Sequence, residues 1–413
     1  MKNRTYSLLR LWYFLIAMFS TARCFAAPGD EFWDGRFDAL GIEGEVRAIA
    51  VLEDDVYVGG QFGTAGKVGA ANIARWDGTN WWPVGGGVDG LGVATLAVDG
   101  RNLYVGGYFF QAVGASPDTV GVARWDGSSW QALANGISGA VRALKISGTD
   151  LYAGGHFTNT SGVLASNIAR WDGMQWSALG SGISRIVRGA AGNIDLGDVW
   201  ALSADRGYIY AGGTFEKAGG IAATNIAMWD GSMWTSLAGG TDGPVTVVQA
   251  MAATSRELYA AGYFRRVGQV VATNIARWDG SNWSELGGGL QQDNLTAVRC
   301  LVTSTESLFV GGQSFMRENS WNVLEWDGER WQPLGSGITP GSAVHALAIR
   351  GNRLYVGGSF DSAGGKPARN FSIWCLPRSP HRWKRRGSLL GCRPHQRCAG
   401  SQQFVGIGEL EGS

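Results

Sequence analysis

The stretch from Leu151 to Leu179 reads Leu-Tyr-Ala-Gly-Gly-His-Phe, then a loop, then Asn-Ile-Ala-Arg-Trp-Asp-Gly-Met-Gln-Trp-Ser-Ala-Leu. Copies of this unit fill most of the 413-residue chain. Its double glycine recurs at Gly59-Gly60, Gly106-Gly107, Gly212-Gly213, Gly311-Gly312 and Gly357-Gly358, with Ala261-Gly262 as a variant copy. Its paired tryptophans recur at Trp76 and Trp81, Trp125 and Trp130, Trp229 and Trp234, Trp278 and Trp283, and Trp326 and Trp331. Self-similarity with a period of roughly 45 to 50 residues is typical of propellers and solenoids.

Each unit predicts four short β-strands. In the quoted unit, an apolar first strand from Val141 to Ile146 precedes a turn and the second strand, Leu151-Tyr152-Ala153. A glycine-rich loop leads to the third strand, and Asp172-Gly173 reverses the chain into the fourth, because glycine tolerates the positive φ of tight hairpin turns. No helical period is sustained in any unit, and the 65 glycines suit a chain that turns every few residues.

One four-stranded sheet cannot bury both of its faces, whereas sheets stacked around an axis can. The recurring aromatic residues would then fill the spaces between neighbouring blades, so we interpret the tryptophans as packing residues and not as ligand-stacking residues. We therefore predict an all-β fold, a seven-bladed β-propeller of four-stranded blades.

The two ends of the repeat region each hold part of a unit. Trp33-Asp34-Gly35 matches the outer hairpin of a blade, but no double glycine precedes it. Residues 370–374 match a third strand, but no Asp-Gly-x-x-Trp follows them. Six whole units plus this composite predict seven blades, with the ring closed by pairing of the N-terminal and C-terminal segments. Both ends offer a third strand, so the position of the seam stays open.

Composition divides the chain into three segments. Residues 1–26 have a basic start and an apolar stretch, which indicates a secretory signal peptide; a membrane anchor is the alternative, but the apolar run is short for a spanning helix. Residues 27–374 form the predicted propeller. Residues 375–413 lack the repeat and are basic, and this abrupt loss of pattern favours a tail that is disordered or out of frame.

Charge and cysteine content exclude some functions. The formal net charge is +1, but residues 27–374 carry 24 basic and 32 acidic residues, a net charge near −8. Nucleic-acid binding needs a basic surface, so we predict no nucleic-acid partner. Cys300 is the only cysteine in the predicted propeller and takes an alanine position of the repeat, as expected for a small buried residue. Cys392-x-x-His395-x-x-Cys398 resembles a fragment of a zinc site, but it lies in the tail, and we predict no metal and no cofactor.

The repeat region carries no recognisable catalytic constellation. Its two histidines, His156 and His345, occupy different positions of the repeat. The Asp-Gly aspartates repeat with the hairpins, so we interpret them as turn formers. Acids that break the repeat could serve a glycosidase, but no pair stands out among Asp118, Asp195, Asp198, Glu216 and Glu318. We predict a protein that is not an enzyme.

One position in each unit stays in register but varies in chemistry. It lies between the double glycine and the following phenylalanine, on the side of the longer loops, where binding residues concentrate over rigid scaffolds. The predicted ligand-binding residues are Gln61, Tyr108, His156, Thr214, Tyr263, Arg265, Gln313 and Ser359. The alternative is an unconstrained exposed position. Tyr263 with Arg265 and Arg266, and Tyr108 with Phe110, are the clusters best suited to stack on a sugar or a peptide.

The glycine pair, the variable loop and the closing tryptophan resemble the kelch repeat of kelch and galactose-oxidase-like β-propellers. The form Asn-Ile-Ala-Arg-Trp-Asp-Gly-x-x-Trp is more similar to Trp-Asp-Gly repeat propellers of secreted bacterial surface proteins, over residues 33–374. This resemblance implies a secreted or cell-surface, bacterial protein. Nothing in the sequence matches the copper site of galactose oxidase. The resemblance leaves three hypotheses: a monomeric binding or adhesion propeller for an extracellular protein or carbohydrate, a lectin-like propeller, and a glycan-active hydrolase or lyase.

Overall fold

The computed structural model describes residues 27–109, 111–114, 119–189, 192–242, 246–290, 296–317 and 319–377. These residues form an all-β fold of antiparallel sheets, as predicted. The helical segments in these ranges are two short 3-10 helices, Asp30–Phe32 and Gly35–Asp38. Within the same ranges, no helix has the length and apolar character needed to cross a membrane.

We number the repeat units 1 to 7 in chain order. Unit 1 contains β1 (Ile42–Leu52), β2 (Asp55–Ala65), β3 (Val68–Gly69), β4 (Ile73–Trp76) and β5 (Trp81–Pro83). Unit 2 contains β6 (Val93–Val98), β7 (Leu103–Gly107), β8 (Val122–Trp125) and β9 (Trp130–Ala132). Unit 3 contains β10 (Ile137–Ser147), β11 (Asp150–Thr160), β12 (Val163–Leu164), β13 (Ile168–Trp171) and β14 (Trp176–Ala178). A connection with β15 (Ile183–Ser184), β16 (Ile186–Gly189) and β17 (Gly192–Asp195) leads to unit 4.

Unit 4 contains β18 (Asp198–Asp205), β19 (Tyr208–Thr214), β20 (Lys217–Ala218), β21 (Ile221–Ala222), β22 (Ile226–Trp229) and β23 (Trp234–Ser236). Unit 5 contains β24 (Val247–Ala253), β25 (Leu258–Tyr263), β26 (Arg266–Val267), β27 (Val270–Val271), β28 (Ile275–Trp278) and β29 (Trp283–Glu285). Unit 6 contains β30 (Ala297–Thr303), β31 (Leu308–Arg317), β32 (Ser320–Trp326) and β33 (Trp331–Pro333). Unit 7 contains β34 (Ala343–Arg350), β35 (Arg353–Ser359), β36 (Ser362–Ala363), β37 (Lys366–Pro367) and β38 (Phe371–Cys375).

Each of units 1 to 6 is an antiparallel sheet whose four long strands are adjacent in chain order, as in β10-β11-β13-β14. Unit 7 has three such strands, β34-β35-β38, and the pair Gln313↔Ala343 joins it to unit 6. The first strand of each unit lies against the first strand of the next, and β34 of unit 7 lies against β1 of unit 1. The apolar core is therefore built mainly between units.

Every first strand carries a β-bulge at the same place. In unit 3, Val141 pairs with Gly155 and Ala143 pairs with Gly154, so Arg142 is the extra residue. The corresponding register shift follows Val46, Val93, Val199, Val248, Val298 and Val344 in the other units. The bulge brings the backbone of the first strand close to the second strand, and it explains the second glycine of each pair.

The two glycines of the pair meet different neighbours. A Cβ atom on Gly154 would lie 2.5 Å from the Cγ1 atom of Val199 in the next unit, which is a side chain. A Cβ atom on Gly155 would lie 2.0 Å from the carbonyl oxygen of Ala140, which is backbone of the bulged strand. Side chains can move more easily than a bonded backbone, which agrees with Ala261 at the first position of unit 5 and glycine at the second position of all seven units.

The tryptophans pack the units together, as the repeat predicted. The rings of Trp171 and Trp176 lie 5.4 Å apart between centroids, and Trp176 is 3% exposed. The indole Nε1–H of Trp176 donates to the carbonyl oxygen of Leu133 in unit 2, at 3.1 Å. Trp234 makes the same bond to Leu179 of unit 3, at 2.9 Å. The second tryptophan of each of these units is thus hydrogen-bonded to the preceding unit.

The N-terminal segment contacts unit 7 through an isolated bridge and not through the predicted hairpin. Trp33 forms an antiparallel bridge with Trp374, so it takes the place of the second tryptophan of a unit. Asp34 does not start a hairpin turn; its side chain accepts from the backbone N–H of Arg36 and caps the second 3-10 helix. The prediction of an outer hairpin at Trp33-Asp34-Gly35 was wrong, because the partner strand comes from the other end of the chain and no reversal is needed.

Candidate functional site

Seven of the eight predicted binding residues occupy one register position at the end of the second strand, and the eighth, Arg265, lies two residues after that position in unit 5. His156 pairs with Ala140, Gln61 with Glu45, and Thr214 with Asp198. Tyr263, Gln313 and Ser359 pair in the same way with Val247, Ala297 and Ala343. Gln61, Tyr108, His156, Tyr263, Arg265 and Ser359 are exposed, and Thr214 and Gln313 are half-buried. The structure therefore places these residues at the same end of their units.

The bulge residues lie on the same surface, and they were not predicted from the sequence. They are Arg47, Ala94, Arg142, Trp200, Gln249, Arg299 and His345. In units 1, 6 and 7 the bulge residue contacts the predicted binding residue of its own unit. A usable signal was present, because each first strand reads Val-x-Ala, Val-x-Thr or Val-x-Cys with a varied x. We call the bulge residues and the predicted binding residues together the variable surface.

A chain of hydrogen bonds crosses units 6, 7 and 1 of the variable surface. Arg299 donates to Gln313 Oε1 at 2.7 Å and lies 3.4 Å from Nδ1 of His345. His345 Nε2 lies 3.0 Å from Glu45 Oε1. The guanidinium of Arg47 donates to Glu45 Oε2 at 2.8 Å and to Gln61 Oε1 at 2.9 Å. Side chains from both ends of the chain thus share one polar network.

Hydrogen bonding inside this network lowers the pKa of Glu45 to about 2. The bond from His345 is the largest cause, burial opposes it, and the bond and charge of Arg47 lower the pKa further. Because the carboxylate form is the one that is bonded, the network stabilises the ionised Glu45.

Acidification should remove this stabilisation. The folded-state pKa of Glu45 is depressed, so its contribution is present above the unfolded pKa near 4.5 and is lost as pH falls towards about 2. Since the side chain is about a third exposed, solvent screening reduces the effect to ~1 kcal/mol between pH 6 and 3. Urea unfolding at both pH values should show a smaller loss of stability for Glu45→Gln than for the wild type. Glu53→Gln, an exposed control, should behave like the wild type; equal losses in all three proteins would contradict the assignment.

A second cluster joins units 3 and 4. Arg142 Nε donates to both carboxylate oxygens of Asp198, at 2.9 and 2.7 Å, and its guanidinium lies 4.0 Å from the ring centroid of Trp200. Burial raises the pKa of Asp198, and the charge of Arg142 partly opposes that shift. His156 contacts the carbonyl oxygen of Gly197 through Nδ1, at 2.9 Å, so Nδ1 carries the proton. This cluster offers a stacked guanidinium beside an imidazole.

The predicted clusters around Tyr263 and Tyr108 have fewer side-chain hydrogen bonds than the two clusters above. Tyr263 is 38% exposed, and the backbone N–H of Arg265 donates to Asp242 Oδ1 at 3.1 Å. Arg266 Nη2 donates to the carbonyl oxygen of Gln269. Phe110, proposed as the partner of Tyr108, lies outside the described residues.

The off-pattern acids that the structure describes contact neighbouring groups. Asp195 Oδ1 accepts from the backbone N–H groups of Arg185 and Gly197, which makes it a turn residue. Glu216 lies 3.7 Å from Arg185 and is half exposed. Asp118, Glu318 and the Cys392-x-x-His395-x-x-Cys398 motif lie outside the described residues. Across the residues that the structure describes, no group of three or more His, Cys, Asp or Glu side chains could hold a metal ion.

Comparison with known proteins supports the fold. The family described as the Rax2 C-terminal beta propeller domain matches residues 198–350 of this chain. The structure of YCF48 bound to D1 peptide is similar with a TM-score of 0.51, at 13% identity, over 84% of this chain and 97% of that one. The WD40 beta propeller domain of Doa1 gives 0.49 at 14% identity, over 83% and 95%, and the computationally designed Ika8 protein gives 0.48 at 16%, over 82% and 100%. No curated protein matches the chain. The family match and the similarity to YCF48 identify the fold as a β-propeller.

Proposed function

We propose that the chain is a closed, seven-bladed propeller over residues 27–374 that binds a protein or peptide on its variable surface. Closure is supported by the bridge between Trp33 and Trp374 and by the position of β34 beside β1. Asn370 also donates to the carbonyl oxygen of Ile42, at 2.9 Å, across the two ends of the repeat region. One ring built from both ends of the chain would fix the variable surface as a rigid unit.

The observation that best supports a binding role is that the scaffold residues repeat from unit to unit while the residues of the variable surface differ. The bulge, the glycine pair and the tryptophans repeat from unit to unit, while the bulge residue and the residue after the glycine pair change in chemistry. Variation confined to one end of a rigid scaffold is how many folds carry binding sites. YCF48, a propeller of similar fold, is described as bound to a peptide.

The remaining parts of the proposal concern location and chemistry. Residues 1–26 would act as a signal peptide, so the protein would be secreted or held at the cell surface, in a bacterium. It would be a monomer and not an enzyme, and residues 375–413 would lie outside the propeller. The three acids considered for catalysis that the structure describes, Asp195, Asp198 and Glu216, contact neighbouring groups, which gives a hydrolase or lyase little support.

A lectin-like role is the second candidate. Two exposed tyrosines, Tyr108 (48% exposed) and Tyr263 (38%), lie on the variable surface and could stack on sugar rings. Repeated units would then offer several similar sites. The two roles differ in ligand class, so one array experiment separates them.

Parallel peptide and glycan arrays, probed with the full chain, test the proposal. We expect saturable binding to peptides and none to glycans. Replacing both Tyr108 and Tyr263 with alanine should weaken that binding by about tenfold, because exposed aromatic residues are frequent interface anchors. Tyr208→Ala is the matched control, since Tyr208 is 40% exposed but is the first residue of β19, at the opposite end of that strand from Thr214. Binding to glycans alone would establish the lectin role, and two blank arrays from a folded protein would contradict both roles.

A further inference from the structure

The three arginines at bulge positions differ in how their charge is compensated. Arg47 lies 2.7 Å from a carboxylate oxygen of Glu45, and Arg142 lies 2.7 Å from Asp198. Arg299 contacts Gln313 and His345, and it pairs with no carboxylate among the described residues. Arg299 is therefore the bulge arginine whose charge is available to an anion.

Arg299 also has an N–H group that lacks an acceptor among the described residues. Its Nε–H is buried, and within the described part of the chain it has no acceptor. Gln249 holds the bulge position of the neighbouring unit 5, and its Oε1 is likewise buried without a donor. Buried polar groups are normally paired, and a buried guanidinium N–H that faces no acceptor is unfavourable.

His345 does not neutralise Arg299. Its Nδ1 faces the guanidinium, which only donates, so Nδ1 must be the unprotonated nitrogen and Nε2–H must donate to Glu45. The network across units 6, 7 and 1 holds two guanidinium groups, Arg299 and Arg47, and one carboxylate, Glu45, so its net charge is positive. The exposed Ser359 lies 3.5 Å from His345 Nε2, so the network is part of the variable surface.

We propose that Arg299 binds a carboxylate of an acidic peptide segment. Guanidinium binds carboxylates with paired, charge-assisted hydrogen bonds, which gives both strength and orientation. Residues 27–374 carry a net negative charge, so acidic ligands gain no general attraction and depend on a local cation of this kind. The assignment rests on the peptide-binding role proposed above and names the peptide class that the variable surface selects.

The first test measures anion binding directly in the full chain. Arginine labelled with ¹⁵N gives Nε–H resonances, and the resonance lost in Arg299→Lys identifies Arg299. Titration with acetate should shift the Arg299 resonance saturably and leave that of Arg142 nearly unchanged, since Asp198 already occupies Arg142 Nε. An Arg299 resonance that does not respond would overturn the assignment, whatever the peptides do.

The second test uses pairs of array peptides that differ only by glutamate or glutamine at the same positions. The wild type should prefer the glutamate members, and Arg299→Gln should weaken their binding at least tenfold while the glutamine members change less than twofold. Arg142→Gln removes one positive charge from an equivalent position and should cost less than threefold. Equal losses in the two variants would show only long-range electrostatics and overturn the assignment.

The failures of the two proposals are distinguishable. Peptide binding that is insensitive to Arg299→Gln overturns the carboxylate site and leaves the peptide-binding role intact. An acetate response without any peptide binding overturns the peptide role, and with it the peptide as occupant of this site. Circular dichroism and thermal midpoints of the variants, within a few degrees of the wild type, show that the fold is retained.

Discussion

Alanine at Gly155 should destabilise the protein by more than about 3 kcal/mol, whereas alanine at the adjacent Gly154 should cost about 1 to 2 kcal/mol. The new Cβ at Gly155 would lie 2.0 Å from the carbonyl oxygen of Ala140, so the bulged strand would have to move. At Gly154 the obstacle is the side chain of Val199, at 2.5 Å. Unit 5 already carries alanine at this first position, Ala261, which is fully buried.

Urea unfolding midpoints of the two variants measure this difference. Ala261→Gly provides the reverse substitution at the first position of another unit, and it should cost no more than about 1 kcal/mol. If Gly155→Ala and Gly154→Ala were equally stable, the bulge would not be the reason for the second glycine. Hydrogen exchange should also locate the damage, because Gly155→Ala should expose the amides of β10 and β11 before those of distant units.

The repeat predicted the all-β fold because its signals are local. Asp172-Gly173 between two strands specifies a hairpin, and the closing Trp176 reports a buried packing position. Such signals need only the neighbouring residues along the chain. They predicted the strands of units 1 to 6 and the burial of the repeated tryptophans, of which Trp278 is half-buried, but they did not predict the 3-10 helix that follows Asp34.

The bulges escaped prediction because they are a property of two strands together. Arg142 looks like an ordinary residue of an apolar strand, and only its pairing with the second strand shows that it is extra. The same holds for Asn167, whose recurrence is visible in the sequence but whose backbone conformation and side-chain contacts are not. Its φ is 63°, its Oδ1 accepts from the backbone N–H of Phe157, and its Nδ2 donates to Ile183 in the connection to unit 4. Unit 2 has Gly121 with a φ of 70° at this position, a substitution that points to the left-handed backbone.

Only part of the candidate site could be predicted, because sequence signals are local and contacts between units are not. The residue after each glycine pair could be found by aligning the copies, because its register is fixed by the pair itself. The charge pattern could not be found, since it depends on which side chains meet across units. Arg299, His345 and Glu45 are distant in sequence, and their contact requires units 6, 7 and 1 to be neighbours.

Replacing Trp33 with alanine should destabilise the protein by about 3 to 5 kcal/mol, the range for buried large-to-small substitutions. Trp33 is 2% exposed, and its indole Nε1–H donates to the buried carbonyl oxygen of Leu334 at 2.9 Å. Its ring packs edge-on against Trp374, with 5.2 Å between centroids. The substitution removes the side chain, its hydrogen bond and a contact between the two ends of the repeat region.

Two controls separate loss of the contact between the two ends of the repeat region from the general effect of removing a tryptophan. Trp82→Ala removes a residue that is 46% exposed and should cost less than about 1 kcal/mol. Trp176→Ala removes the same indole bond, to Leu133, but inside a continuous stretch of chain. Hydrogen exchange decides between the two: in Trp33→Ala, protection should fall first in β1, β34 and β38, and in Trp176→Ala it should fall first in units 2 and 3. If both variants lost protection evenly across all units, Trp33 would be an ordinary core residue and the two ends of the chain would not close the ring.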